Sequence, residues 1–219
     1  MSRIAIVTGA NKGIGYETVR GLAKTGKFST VYLTARNPEL GAAATEKLNS
    51  EENFSTIKFH QLDITEEESI SNLANFISAN HGGFDVLVQN AGFAFKQAAT
   101  ESFPIQAEET MKINFWGTLN VMKKCVPLAK KGARIVLVSS LVSWRAQIGF
   151  TNVPIAREMS LVNRSLSLER LEELANQFVA DCKANKNAEI GWPSSAYGTS
   201  KLFVNCITRF YAYVNKVQN

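Results

Sequence analysis

The chain alternates short β-branched and apolar runs with longer stretches in which apolar residues return every three or four positions. The short runs, Ile4 to Thr8, Thr30 to Thr34, Thr56 to Gln61, Asp85 to Gln89 and Arg134 to Ser139, predict strands. The segments between them predict helices, the first from Tyr16 to Lys24. Such alternation implies right-handed βαβ crossovers and a parallel sheet covered by helices on both faces. The expected fold class is therefore α/β, a doubly wound parallel sheet in three αβα layers. The centres of the first, fourth and fifth runs, Ile4 to Val7, Val86 to Val88 and Ile135 to Val138, lack polar alternation, so these strands are expected to be buried on both faces.

Within 219 residues there is no internal repeat, low-complexity tract or linker, which predicts a single domain over 1–219. No charged leader with an apolar run opens the chain, and no apolar stretch approaches the ~20 residues of a membrane helix. A soluble, cytoplasmic protein with no membrane partner is the expectation. The net charge of +5 is scattered, with only short pairs such as Lys123-Lys124 and Lys130-Lys131, so it predicts a solvated surface and no nucleic-acid partner. Cys125, Cys182 and Cys206 fit no metal or redox spacing and cannot all pair, which predicts reduced thiols.

The first strand runs straight into Gly9, Ala10, Asn11, Lys12, Gly13, Ile14 and Gly15, ahead of the first helix. Glycines there let the backbone turn tightly and approach a pyrophosphate, and the helix start offers free N–H groups and partial positive charge. A strand, a glycine-rich loop and a helix in that order predict a Rossmann-like dinucleotide site. An NAD site of this kind expects a carboxylate after the second strand. Here Arg36 stands there, with Lys12 across the loop, and two cations suit a 2′-phosphate, so NADP(H) is the expected cofactor, an ordinary solvated arginine being the alternative for Arg36.

Near the other end, Tyr197 and Lys201 are four residues apart and share one face of a predicted helix. Tyrosine is a poor acid at its usual pKa of about 10, but a neighbouring ammonium stabilises the phenolate and brings it toward working pH. The pair reads as a proton donor and its tuner, with an ordinary amphipathic core helix as the alternative for the spacing taken alone.

These motifs, with Asp63-Ile64, Asn90-Ala91-Gly92, Asn114 and Ser139-Ser140 in the same order, resemble the short-chain dehydrogenase/reductase family. The stretches Ala94 to Lys96, Ile105 to Glu108 and Gly191 to Gly198 are most similar to its monomeric NADPH-dependent carbonyl reductases. The resemblance implies hydride transfer from NADPH to a small-molecule ketone, aldehyde or quinone. Ser140 would then bond the carbonyl oxygen, Tyr197 protonate it, Lys201 also bind the nicotinamide ribose, and Asn114 hold a water that reprotonates the lysine. Ser140 as a strand-end cap and Asn114 as a tie to a neighbouring loop are the alternatives. Asp63 and Ile64 are implied adenine contacts and Asn90 a ribose neighbour, while Gln89 departs from the asparagine usual there. Phe95, Lys96, Gln97, Gln106 and Ala196 are implied contacts for the substrate or a glutathione conjugate, though Lys96 reads equally as a solvated loop residue. Leu141, Val142 and Trp144 are further candidates for the substrate mouth.

The 56 residues between Ser140 and Tyr197 exceed the family's usual spacing. A helical insertion over about 157–190 is expected, with Ser167 as N-cap and Leu171, Leu174, Ala175, Phe178, Val179 and Cys182 on one face. In relatives such a helix covers the oligomer surface, implying a monomer. A last helix is expected from about Ser195 to Val214, after which relatives continue for another βαβ unit. The fold is thus expected to be truncated after the helix that carries Tyr197 and Lys201, leaving the fifth strand's outer edge unpaired and open to self-association. A nucleotide-binding protein with little turnover is the alternative function this implies.

Overall fold

The computed structural model describes residues 2–160, 163 and 165–217. In chain order the elements begin β1 (Ile4–Val7), α1 (Gly13–Lys24), β2 (Thr30–Ala35), α2 (Pro38–Glu52), β3 (Ile57–Gln61), α3 (Glu67–His81) and β4 (Phe84–Gln89). They continue α4 (Phe103–Thr110), a π-helical stretch (Met111–Gly117), α5 (Thr118–Cys125) and β5 (Ala129–Leu137). The chain closes with α6 (Val142–Ile148), α7 (Val153–Glu158), α8 (Leu168–Lys183), α9 (Asn187–Ile190) and α10 (Ala196–Val217). Two compact units result: Met1–Gly92 with Gly117–Val138, and Phe93–Trp116 with Ser139–Asn219.

The first unit is the α/β sandwich the hydrophobic pattern predicts. Among the described residues its sheet runs β3-β2-β1-β4-β5, parallel throughout. Strand alternation separates the two faces. Val31 and Leu33 join Ala5 and Val7 against Val19 and Ala23 of α1 and Ala44 and Leu48 of α2. Tyr32, between them in sequence, points the other way and meets Phe76 and His81 of α3. One helix layer thus covers each face of the sheet.

The five expected strands are present, and β5 is the one that differs most. It starts at Ala129 rather than near Arg134, because an irregular stretch with Gly132 at φ 80° carries the lysine pair before regular pairing resumes at Arg134 opposite Val86. Lys130 is drawn in by Asp85, at 3.7 Å. β5 is also not buried on both faces: Ile135 and Leu137 are only partly buried, and Val136 is 49% exposed. The physical reason is position. β1 lies between β2 and β4 and is fully buried, whereas β5 ends the sheet and, among the described residues, has no strand on its outer side.

The second unit is helical. α6 packs along α10, and α8 packs on α4 and α10. The Ser167 hydroxyl caps α8 by accepting the Arg170 N–H at 3.1 Å, as the sequence predicts. Leu171, Leu174, Ala175, Phe178 and Cys182 are buried on one face, with Val179 half-buried at its margin. Residues 161, 162 and 164 of the expected insertion lie outside the described residues. No helix among the described residues is long and apolar enough to cross a membrane.

Candidate active site

In the first unit the glycine-rich loop is shaped by backbone demands. Gly9 sits at φ 61°, and a Cβ there would come within 2.7 Å of the Ala91 Cα. Gly15 opens the first turn of α1, where a Cβ would approach the Asn90 carboxamide to 2.5 Å. Only a hydrogen fits either place, so the loop can press against its neighbours and leave its N–H groups outward. Gly13 has φ 60° but open space around it, so its need is conformational alone.

Three polar ties hold this loop to the sheet. Thr8 Oγ1 accepts the N–H groups of Asn90 and Ala91, each at 3.0 Å. Asn90 Nδ2 donates to the carbonyls of Thr8 (3.1 Å) and Gly9 (2.9 Å), so this expected ribose neighbour is also the strap across the loop. Ala10 N–H donates to Thr34 O at 2.8 Å, which fixes the loop beside the end of β2. Arg36 follows two residues later, just before Asn37 caps α2 by accepting the Leu40 N–H at 2.8 Å. Lys12 and Arg36 are both exposed, and among the described residues neither is paired with a carboxylate. Asn11 is half-buried and Ile14 is 68% exposed. Asp63 uses one carboxylate oxygen to accept the Thr65 N–H and hydroxyl. The Ile64 side chain is buried, with Cδ1 2.8 Å from where a Cβ on Gly117 would lie. Gln89, the departure from the family pattern, is buried and donates to the Thr118 carbonyl at 3.2 Å.

The second unit gathers Asn114, Ser140, Tyr197 and Lys201. Lys201 is 5% exposed, and its Nζ lies 5.9 Å from the centre of the Tyr197 ring, as four-residue helical spacing requires. Burial holds its pKa below the usual lysine value. Asn114, fully buried in the π-helical stretch, accepts the Phe93 N–H (2.7 Å) and donates to Phe93 O (2.8 Å) and Ser200 Oγ (2.9 Å). Its amide therefore ties a neighbouring loop, the alternative the sequence left open. Ser200 in turn donates to the Tyr197 carbonyl at 2.8 Å. Ser140 Oγ lies near the Val142 N–H at 3.4 Å, a weak cap that leaves the hydroxyl available.

Tyr197 borders a cavity of about 160 Å³ shared with Phe95, Phe103, Gln106, Thr110, Ser194, Ser195 and Ala196. Phe95, Gln106 and Ala196 were expected to line a ligand site; Lys96 and Gln97 are exposed and do not line this cavity. Nor do Leu141, Val142 and Trp144; Leu141 and Trp144 are 89% and 69% exposed. Sequence reasoning missed Phe103 and Thr110, which reach the cavity only because α4 packs on α10. Ser194 and Ser195 stand beside the tyrosine in sequence and were legible by adjacency alone. Elsewhere, burial pushes the Cys125, Cys182 and Cys206 thiols up to about 11, 12 and 11, which suits inert core residues rather than nucleophiles. Among the described residues no group of His, Cys, Asp and Glu could hold a metal ion.

The pattern of short chain dehydrogenases matches residues 3–152. The chain belongs to that family. Among its relatives, carbonyl reductase (NADPH) 1 of Mus musculus is 45% identical over 210 residues, covering 95% of this chain and 73% of the relative. Menthone neomenthol reductase from Mentha piperita superposes with TM-score 0.84 at 31% identity, over 97% of this chain and 85% of that one. Salutaridine reductase from Papaver somniferum gives TM-score 0.84 at 33% identity, over 99% and 83%.

Proposed function

We propose that the chain is an oxidoreductase that reduces the carbonyl group of a small molecule with NADPH. The observation that carries this reading is the buried face of α10, where Lys201 lies against the Tyr197 ring and Tyr197 borders a cavity. The relatives named as NADPH-dependent carbonyl reductases support the same cofactor and reaction.

The residues of the first unit fit NADPH on two counts. A Cβ would fill the cradle at Gly9 and Gly15, and Lys12 and Arg36 are exposed cations with no carboxylate partner among the described residues. Gly9, Asn11, Gly13, Ile14 and Gly15 receive the pyrophosphate and its ribose, Lys12 and Arg36 the 2′-phosphate, and Asn90 the other ribose. Asp63 and the main chain of Ile64 meet the adenine. When bound, the cofactor supplies the hydride.

In the second unit Ser140 donates a hydrogen bond to the carbonyl oxygen as negative charge builds there, and Tyr197 delivers the proton. Lys201 stabilises the phenolate that remains and bonds the nicotinamide ribose. Asn114 acts through the loop and helix that its amide ties together, rather than through a free side chain. The cavity beside Tyr197 takes the apolar body of the substrate, with Phe95, Gln106 and Ala196 in contact. Lys96 and Gln97, exposed nearby in sequence, serve a polar extension such as a glutathione conjugate. Three buried free thiols support a reducing, cytoplasmic setting. The apolar face of α8, consumed within its own unit, supports a monomer.

The test is NADPH oxidation with the quinone menadione, run beside Tyr197→Phe. Loss of a general acid reduces turnover by about 10² or more, with NADPH affinity preserved. Equal turnover in the two proteins removes Tyr197 from its role.

A further inference from the structure

A third polar residue extends the Tyr197 and Lys201 stripe. Asn205 lies four residues beyond Lys201 and eight beyond Tyr197, so it projects from the same side of α10. Its Nδ2 donates to Ser143 Oγ at 2.9 Å. Ser143, 4% exposed in the first turn of α6, donates its hydroxyl to the Ser140 carbonyl at 2.6 Å, and its N–H reaches the same carbonyl at 3.0 Å. A second tie runs parallel: Ser139 Oγ donates to the Lys201 carbonyl at 3.1 Å.

Neither Ser143 nor Asn205 touches the cavity beside Tyr197. What they fix is the turn that carries Ser140. That residue lies three positions past the end of β5, and among the described residues its hydroxyl has a single local contact, at 3.4 Å, so local bonding leaves its direction loosely set. The carbonyl of the same residue is gripped twice by Ser143, and Ser143 is gripped by the helix that bears Tyr197 and Lys201. An amide donating to a hydroxyl that itself donates onward strengthens both bonds, because each polarises the next.

We propose that Asn205 and Ser143 are positioning residues for carbonyl reduction: their relay sets the Ser140 turn against α10, so that the Ser140 and Tyr197 hydroxyls reach one carbonyl oxygen together. This inference rests on the reductase reading. Two hydroxyls that must meet the same atom tolerate little displacement, since misplacement on the order of 1 Å costs about 10²-fold in rate. The relay acts on the transition state and not on cofactor capture, so it belongs to kcat.

The test takes Ser143→Ala, Asn205→Leu, the double variant and Ser143→Thr through menadione reduction, NADPH titration and amide hydrogen exchange over residues 139–146. Each single removal lowers kcat by about tenfold or more, leaves NADPH affinity within twofold and speeds exchange in the Ser140 turn. The double variant is little worse than either single one, as for one shared relay, and Ser143→Thr, which keeps the hydroxyl, recovers most of the turnover. Unchanged kcat in both single variants overturns the proposal. So does exchange of the turn that stays as slow as in the parent, or a double variant whose losses multiply. A parent chain inactive with menadione and other quinones sinks the reductase reading instead, and in that case the exchange rates alone decide whether the relay holds the turn.

Discussion

The loop after β1 and the inward face of α10 carry the two parts of the proposed chemistry, and they are built from opposite materials. The loop is backbone and empty space: Gly9 and Gly15 leave no room for a Cβ, and two cations, Lys12 in the loop and Arg36 after β2, stand in solvent without carboxylate partners among the described residues. The α10 face is side chain and burial: Asn114, Ser200 and Lys201 are all enclosed, and Asn114 uses three hydrogen bonds. A mobile polyanion is met by groups that cost little to keep in water, whereas a proton must be moved by groups held still and dry. Damage to the first region should therefore read out in binding, and damage to the second in turnover.

Gly15→Val tests the steric side most severely. The added side chain displaces Asn90 and the loop backbone, and returning them to the binding geometry costs about 1–3 kcal/mol of overpacking on binding, a loss of about 5- to 150-fold in NADPH affinity by titration calorimetry. Preserved affinity would show that the loop has slack that its contacts deny. Charge comes next. Replacing Lys12 by Ala together with Arg36 by Asp removes charge-assisted bonds worth about 1.5–3 kcal/mol each. The ratio of NADPH to NADH affinity should fall by tenfold or more, with kcat at saturation little altered. A double variant that keeps the parental ratio places the phosphate contacts elsewhere.

The smallest effect, and the one that separates the regions by pH, concerns Lys201. Burial lowers its folded-state pKa below the unfolded value. Between the two values the unfolded chain holds more protons, so stability rises with pH across that window. Turnover moves the other way, because the cation beside Tyr197 is lost. A kcat profile that declines on the alkaline side, at a pH below the ordinary lysine range, with an undiminished melting temperature, is the expected pair of curves. A parallel fall of both would assign the alkaline limb to unfolding.

Much of this was legible because it depends on local spacing. Short apolar and β-branched runs marked every strand, period-3.6 spacing marked the capped helix after Ser167, and glycine positions marked the tight loop after the first strand. Tyr197 and Lys201 were legible for the same reason, since four residues on a helix fix a shared face whatever surrounds it. What stayed hidden depends on which elements become neighbours. The unpaired outer edge of the fifth strand was expected from the family resemblance, but the apolar run Ile135 to Leu137, read by itself, predicted burial on both faces, and Val136 is half exposed.

Apart from the short helices α6, α7 and α9, the sequence by itself determined the order of the strands and of the helices between them, the family and the residue types of the chemistry. Tertiary structure decided their employment. Asn114 spends its amide on Phe93 and Ser200, Asn90 straps the Thr8 and Gly9 carbonyls, and Phe103 and Thr110 enter the cavity from α4. Asn205 closes on Ser143 across 62 residues of chain. The physical reason is that periodicity tells which way a side chain points, but a buried polar group must be satisfied by whatever partner packing brings within about 3 Å, and that partner is set by the fold as a whole.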